Sequence, residues 1–358
     1  MWESVATELL HLWTNGVELI LNNAKVTVFI CLTAIKGDWP LLAKLGCLER
    51  FFGRKTKSSN QDKAKGICHL CLAGKSGFPF HDCMDTALWR TTFLQHSPFW
   101  QPSPFACLPY HQPLLYRFDV FHVCHKGVLA ELAGSGLVVL MDLGKAGPGD
   151  VHVQLATLYE ELVSFNRRNS LNLHMSSLTR TLVNLTKDAD YPCGTWFKGQ
   201  DTSIVNRFLE ERFGTLLAEE PSDYVAAIHE AVSKANSMMR HLYAHGLWYR
   251  RFDAEVFVRH TYGFMTKYLE VAYMALSQRK TRFKLTPKLH AFNHIADYVR
   301  NDLEKYPLAQ WLRNPATWST QQCEDFTGRV SQLSTAVSSR ACHRQVMCRY
   351  AVNLWKHW

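Results

Sequence analysis

Apolar side chains at helical spacing dominate the chain beyond Val151, and this pattern restricts the fold more than any other feature. Residues with this spacing lie on one side of an α-helix and are buried against its neighbours. We therefore predict a long, mostly helical segment after Val151, whose aromatic and methionine side chains are core packing. The stripes are Leu155, Leu158, Tyr159 and Leu162; Tyr224, Ile228, Ala231, Ala235 and Met238; and Phe257, Thr261, Phe264, Tyr268 and Val271.

The first 52 residues have a different pattern. Residues 4–14 show helical spacing, whereas Val26–Ile35 is a continuous β-branched run, typical of a strand that is covered on both faces. The segment Lys36–Pro40 ends this run, and Pro40 begins a predicted helix that extends to Phe52. The order of helix, strand and helix predicts an α-rich α/β fold.

Composition and charge limit the class of partner. Hydrophobic residues make up 47% and charged residues 20%, so most of the chain is expected to be folded. The formal net charge of +9 suits a polyanionic partner such as DNA, because Lys and Arg displace counterions from phosphates. No membrane partner is predicted, since the uninterrupted apolar run near the N-terminus is half the length of about 20 residues that a spanning helix needs. The side chains predicted to contact nucleic acid are Arg54, Lys55, Lys57, Arg279, Lys280, Arg282 and Lys288.

A Cys-x-x-Cys pair, Cys68 and Cys71, is followed by His81 and Cys83. A Cys-x-x-Cys turn can place two thiolates on one metal ion, and a second pair completes a tetrahedron. The sequence therefore predicts a structural zinc site with these four ligands. A His-x-Cys pair is tighter than usual, and unmetallated thiols are the alternative interpretation. Other residues that can supply ligands are Cys107, His122, Cys124 and His125.

His290 and His294 also have a metal-ligand spacing, at i and i+4. No Glu follows the first His as it does in a zincin helix. We therefore favour a packing or DNA-facing role for this pair.

Three acidic positions are candidate ligands for Mg²⁺ or Mn²⁺. Asp38 follows the predicted buried strand, and hard oxygen ligands at a strand end suit such ions. Asp119 precedes His122 by three residues, so both lie on one face of a helix start, with His122 as a further metal ligand. Glu324 lies in a predicted C-terminal helix. For each carboxylate the alternative role is structural: a turn residue, an N-cap or a first-turn charge.

Taken in order, these segments resemble one family, the CACTA-type DDE transposases and their Plavaka-like relatives. The resemblance consists of the Gly37–Pro40 turn after a strand, the Cys-x-x-Cys knuckle at Cys68, the Asp-x-x-His motif at Asp119, the Lys-Leu-His segment at Lys288, and the carboxylate helix of Glu324. It implies an RNase H-like core, a DDE site of Asp38, Asp119 and Glu324 with two Mg²⁺ ions, and DNA transposition.

The resemblance also implies a division of the chain. We expect a partial RNase H-like core at 1–52, a Cys/His-rich segment with the Asp-x-x-His motif at 53–149, a helical insertion at 150–315, and closing helices at 316–358. The first catalytic Asp of the family has no counterpart in residues 1–37, which contain no Asp, so we expect an N-terminally truncated copy in which cleavage is impaired.

Two functions follow from these expectations. The first is DNA strand cleavage and transfer by a transposase-derived, two-metal carboxylate site. The alternative is a non-catalytic, zinc-stabilised nucleic-acid-binding protein. A nuclear location is expected from the DNA substrate, and a homo-oligomer is a further expectation.

Overall fold

Helices form most of the secondary structure in the computed structural model, which describes residues 1–54, 65–187, 190–335 and 337–357. The chain separates into two compact units, Met1–Trp318 and Ser319–Trp358. The helices of the first unit are α1 (Trp2–Thr14), α2 (Trp39–Leu45), α3 (Leu129–Asp142), α4 (Val151–Arg168), α5 (Gly199–Glu219), α6 (Asp223–Ala244), α7 (Arg251–Ser277) and α8 (Pro287–Lys305). The second unit contains α9 (Gln321–Thr335) and α10 (Cys342–His357).

The strands within the described residues form three two-stranded sheets. The pairs are β1 (Val17–Leu21) with β2 (Ala24–Val28), β3 (Ile35–Gly37) with β4 (Tyr116–Phe118), and β5 (Trp248–Arg250) with β6 (Trp311–Arg313). An α-rich α/β class is therefore confirmed, whereas the RNase H-like core remains a prediction.

The predicted buried strand over Val26–Ile35 was wrong. Its first residues belong to the antiparallel hairpin of β1 and β2, whose turn residues Asn22 and Asn23 have φ angles of 52° and 62°. Asparagine tolerates this left-handed conformation, which a two-residue hairpin turn needs. The apolar side chains of the run, including Phe29, are largely exposed. The continuous apolar pattern therefore covers a hairpin and an extended connection rather than one central strand.

The pairing of β3 with β4 is parallel, with Gly37 opposite Phe118. The two strands run in the same direction and end at the same edge. The next residues along the chain, Asp38 and Asp119, therefore emerge from neighbouring strand ends. This short sheet positions the two candidate carboxylates.

A buried helix follows β4. A π-helical segment, Phe121–Val128, leads into α3, and together they form the apolar helix Phe121–Asp142. This helix is long and apolar enough to cross a membrane, but 89% of its apolar window is buried within the protein, as in a core helix. Gly134 lets the backbone of Cys193 approach closely, since a Cβ atom at this glycine would lie 2.5 Å from Cys193 Cα.

The predicted helical segment after Val151 is confirmed. Helices α5, α6, α7 and α8 pack successively along the chain. The three predicted apolar stripes lie on α4, α6 and α7 and contribute to the buried core. The helix predicted from Pro40 to Phe52 is shorter, because α2 ends at Leu45.

Candidate metal centre and carboxylate cavity

The Cys-x-x-Cys segment forms a tight loop. Ile67 N–H donates a hydrogen bond to the carbonyl of Ala73, at 2.8 Å, and closes the loop around both thiols. Gly66 and Gly74 flank it with φ angles of 92° and 85°, which side-chain-bearing residues rarely adopt. The sequence of the loop therefore directs Cys68 and Cys71 inward.

Arg50 supports this loop through hydrogen bonds to its backbone carbonyls. It is buried, and its guanidinium donates to the carbonyl of Cys68 at 2.9 Å and to that of His69 at 3.3 Å. It also donates to the carbonyls of Ser97 and His96, at 3.1 and 3.0 Å. The planar fork of one side chain thus fixes two segments of backbone beside the thiols. Its positive charge also faces the two cysteines.

Helix α8 supplies the other half of the centre. Thr286 is its N-cap residue and Pro287 occupies its first turn, where proline is tolerated because its missing N–H has no intrahelical partner. His290 and His294 lie one turn apart, so both imidazoles project from the same face. Both side chains are fully buried.

The four side chains converge on one point. Cys71 Sγ lies 3.2 Å from His290 Nε2 and 3.5 Å from His294 Nε2, and the two Nε2 atoms are 3.1 Å apart. Ligand atoms from Cys68, Cys71, His290 and His294 all lie within 4.8 Å of one another. A tetrahedral zinc ion with ordinary bond lengths separates sulfur from nitrogen by about 3.6 Å and nitrogen from nitrogen by about 3.3 Å. The observed distances fit a Cys₂His₂ site for a metal such as zinc.

Aromatic rings enclose this Cys₂His₂ group. Trp89 makes edge contacts with both imidazoles, at centroid distances of 4.5 Å to His290 and 5.0 Å to His294. Phe118, the last residue of β4, stacks on His294 at 5.9 Å. A closed set of four protein ligands in an apolar shell is typical of a structural zinc site rather than a catalytic one.

The thiols have strongly shifted pKa values. Burial opposes the charged form of Cys68, but the hydrogen bond from Cys71 and the nearby charges of His294 and His290 outweigh it and hold the pKa of Cys68 well below its usual value. Burial, together with the hydrogen bond to Cys68 and its charge, raises the pKa of Cys71 well above its usual value. Metal binding at this site would displace the protons that the two thiols carry.

A carboxylate network supports α8 beside the metal centre. Asp297 accepts hydrogen bonds from Arg90 at 2.7 and 2.9 Å, from Arg300 at 2.9 Å, and from the hydroxyl of Tyr262. Its Oδ2 lies 3.9 Å from Nδ1 of His294. This separation exceeds hydrogen-bond distance, so the network supports α8 beside His294 without a direct hydrogen bond to the imidazole.

The other residues proposed as zinc ligands lie elsewhere. His81 and Cys83 are not in the Cys₂His₂ group, and the Cys83 thiol, whose pKa burial raises to about 12, lies 3.6 Å from the carbonyl of His81. Cys107 is exposed, and Cys124 is buried. His290 and His294 occupy the two ligand positions that the sequence analysis assigned to His81 and Cys83. A packing or DNA-facing role had been predicted for this histidine pair. Their i and i+4 spacing was the available signal.

Asp38 and Asp119 line a common cavity of about 220 Å³. Asp38 is the N-cap of α2 and accepts from Leu41 N–H at 2.8 Å. Asp119 is buried and accepts from the backbone of Phe121 at 2.9 Å and of His122 at 3.2 Å, while His122 Nδ1 contacts its second oxygen. Both carboxylates therefore have capping roles as well as a shared cavity.

Lys288 also lines this cavity. Its ammonium donates to the carbonyl of Lys126 at 2.5 Å, and burial lowers its pKa. The third predicted carboxylate, Glu324, lies in the first turn of α9, in the other unit.

The remaining predicted nucleic-acid contacts are distributed as follows. Arg279 and Lys280 are exposed. Arg282 donates two hydrogen bonds to the carboxylate of Asp142, at 2.9 and 3.0 Å. Arg54 ends a short 3₁₀ turn. Lys55 and Lys57 lie outside the described residues.

Comparison with protein-family models, with curated proteins and with solved structures finds no match to this chain.

Proposed function

We propose that this chain is a transposase-derived protein in which Asp38 and Asp119 belong to a two-metal carboxylate site for cleavage and transfer of DNA strands. The observation that carries the proposal is the parallel pairing of β3 with β4, since Gly37 lies opposite Phe118 and each is followed directly by an aspartate. Carboxylates at adjacent strand ends suit a pair of divalent cations such as Mg²⁺ or Mn²⁺.

The oxygen donors fit that class of cation. Asp38 is exposed, and its second carboxylate oxygen is available in addition to the one that caps α2. Asp119 holds His122 in place, and His122 lines the same cavity. Such cations, when bound, stabilise the attacking and leaving oxygens of a phosphodiester.

The neighbouring side chains suit a phosphate group. Lys288 places a cationic group at the cavity, and an ammonium in a partly desolvated cleft attracts a phosphate strongly. The excess of 40 Lys and Arg over 31 Asp and Glu provides the longer-range attraction to DNA.

In this proposal the Cys₂His₂ group binds zinc and has a structural role. It joins the loop of Cys68 to α8, and α8 carries Lys288 two residues before His290. Phe118, which precedes Asp119, packs on His294. A bound zinc ion would therefore fix the distance between the ends of β3 and β4 and the ammonium group of Lys288.

The test is nicking of supercoiled plasmid DNA by the purified chain with Mg²⁺ or Mn²⁺. Asp38→Asn and Asp119→Asn should each reduce the rate at least about 100-fold, because each removes a cation ligand while asparagine preserves capping. The matched control is Asp150→Asn, since Asp150 caps α4 through His152 and Val153 N–H groups and does not line the cavity. This variant should nick at the wild-type rate.

Two results would contradict the catalytic proposal. Folded, DNA-binding protein that does not nick above background would favour a non-catalytic, zinc-stabilised DNA-binding protein. Nicking that persists in both aspartate variants would place the activity in another site or in a contaminant.

A further inference from the structure

We propose that His241, His245 and Asp253 form a second metal site, of the two-histidine, one-carboxylate type, for a divalent transition-metal cation such as Zn²⁺. A donor atom from each of these residues lies within 4.8 Å of the others. The site is separate from the Cys₂His₂ group and from the carboxylate cavity, and the inference does not depend on nuclease activity.

The helix ends position the three ligands. His241 lies in the last turn of α6, and His245 is the C-cap residue that directly follows this helix. Asp253 lies in the first turn of α7. His245 Nδ1 is 3.8 Å from Asp253 Oδ2, and the two imidazole centroids are 4.6 Å apart. These separations require only a small inward movement of side chains to reach common coordination distances of about 2 Å.

The imidazole of His241 already has the second contact that a metal-bound histidine usually makes. Its Nε2 lies 2.7 Å from the backbone carbonyl of Asp253. A carbonyl only accepts, so Nε2 carries the proton and the other ring nitrogen keeps its lone pair for a cation. This contact fixes the tautomer and the ring, as it does in known histidine–metal sites.

The backbone around His245 is also held in place. The buried amide of Asn314 donates to the carbonyls of Leu242, His245 and Gly246, at 3.0, 3.3 and 2.9 Å. The ring of Tyr249 packs at 5.3 Å from His245 and 5.4 Å from His241. A preorganised set of ligands lowers the entropic cost of binding.

Two local charges attract a cation, although the N-terminal end of α7 and the guanidinium of Arg250 act in the opposite sense. The C-terminal end of α6 carries the partial negative charge of the helix dipole, and Asp253 adds a full charge. Two of the three ligands are imidazoles, which suit zinc and its neighbours better than Mg²⁺ or Ca²⁺.

One side of the proposed site is open. His245 and Asp253 border a cavity of about 430 Å³, which is also lined by Trp248, Arg250 and Trp311. Three protein ligands beside an open cavity leave a coordination position for water or an anion. The guanidinium of Arg250, which lies 5.8 Å from the ring of Trp311, favours an anion there.

The experiment is a zinc titration of the metal-free full chain in competition with a chromophoric chelator. The wild-type chain should bind two equivalents, and His245→Gln and Asp253→Asn should each lose one of them. The matched control is His152→Gln, because His152 is an exposed histidine on α4. This control should keep both equivalents.

Cobalt substitution distinguishes the two sites. The spectrum of the Cys₂His₂ site includes thiolate charge-transfer absorption, whereas the proposed site has no thiolate. Asp253→Asn should therefore lose one cobalt equivalent without losing thiolate absorption. Cys68→Ser should lose the equivalent that has thiolate absorption and keep the other one. Retention of the wild-type stoichiometry in both His245→Gln and Asp253→Asn would overturn the proposal, as would a wild-type chain that binds only the equivalent with thiolate absorption.

Discussion

Cys71 and His290 are 219 positions apart in the chain, and their Sγ and Nε2 atoms lie 3.2 Å apart in the fully buried Cys₂His₂ group. A contact between a loop near the N-terminus and a helix near the end of the first unit links the elements that lie between them. The consequences for stability can be measured.

Removal of zinc should destabilise the first unit. A ligand at 1,000 times its dissociation constant stabilises the folded state by about 4 kcal/mol. With an unfolding entropy of about 2.1 cal/mol/K per residue over the unit Met1–Trp318, that corresponds to a fall in melting temperature of about 6 °C on chelation. Calorimetry with and without a chelator checks this. Cys68→Ser should match the chelated protein, and the exposed Cys107→Ser should match the wild type; equal melting temperatures for all samples would contradict a structural role.

Arg50→Lys should weaken zinc binding although it preserves the charge. Lysine cannot reproduce the four carbonyl contacts of the guanidinium around the Cys68 loop. Loss of such a supporting contact typically reduces metal affinity about 10- to 100-fold. Competition with a chelator of known affinity measures the change. Arg167→Lys, an exposed position at the end of α4, is the control and should leave the affinity unchanged.

His125 should make stability fall as the pH drops. Burial lowers its pKa to about 4, and its ring nitrogens contact the carbonyl of Gly199 and the hydroxyl of Tyr243. The unfolded chain takes up this proton near its ordinary pKa of about 6.5, so the contribution is full above that pH and is lost between about 6.5 and 4. The shift corresponds to about 3 kcal/mol. Denaturant unfolding of wild type and His125→Gln at several pH values checks this, and the difference between them should shrink over that interval.

Gly134→Ala should destabilise the core. The added methyl group would lie 2.5 Å from the backbone of Cys193, which cannot move aside as a flexible side chain would. Overpacking of this kind costs about 1–3 kcal/mol. Gly328→Ala in α9 is the contrasting variant, because its Cβ meets nothing within 4 Å and alanine favours a helix. Urea unfolding should show a loss for the first variant only.

Local patterns predicted part of the fold and part of the metal centre. The helical stripes after Val151 became packed helices because their period alone determines which face is buried. Cys68 and Cys71 were predicted as ligands because four residues of sequence define a Cys-x-x-Cys turn. Their partners on α8 were not, because spacing within a helix does not indicate which distant loop it will contact.

The N-terminal hairpin shows a second limit of local patterns. A run of β-branched residues from Val26 to Ile35 indicates strand conformation, but it does not indicate what covers the strand. The Asn22–Asn23 turn placed part of the run in an exposed hairpin instead. Asp38 does follow a strand, but this strand is the short β3, Ile35–Gly37, and not the predicted run Val26–Ile35. Lys36 and Gly37, which were expected to end a strand, belong to β3 because it pairs with β4, a partner about 80 residues further along the chain.

The long separation between the two halves of the Cys₂His₂ group sets an order of events during synthesis. His294 follows Cys71 by 223 residues, so at about 5–20 residues per second the ribosome completes the ligand set roughly 10–45 s after the loop is made. Until then the two thiols of the nascent chain have no imidazole partners and are open to oxidation. For the proposed zinc-bound form, the thiols must therefore remain reduced throughout elongation, and the metal binds at the end of it.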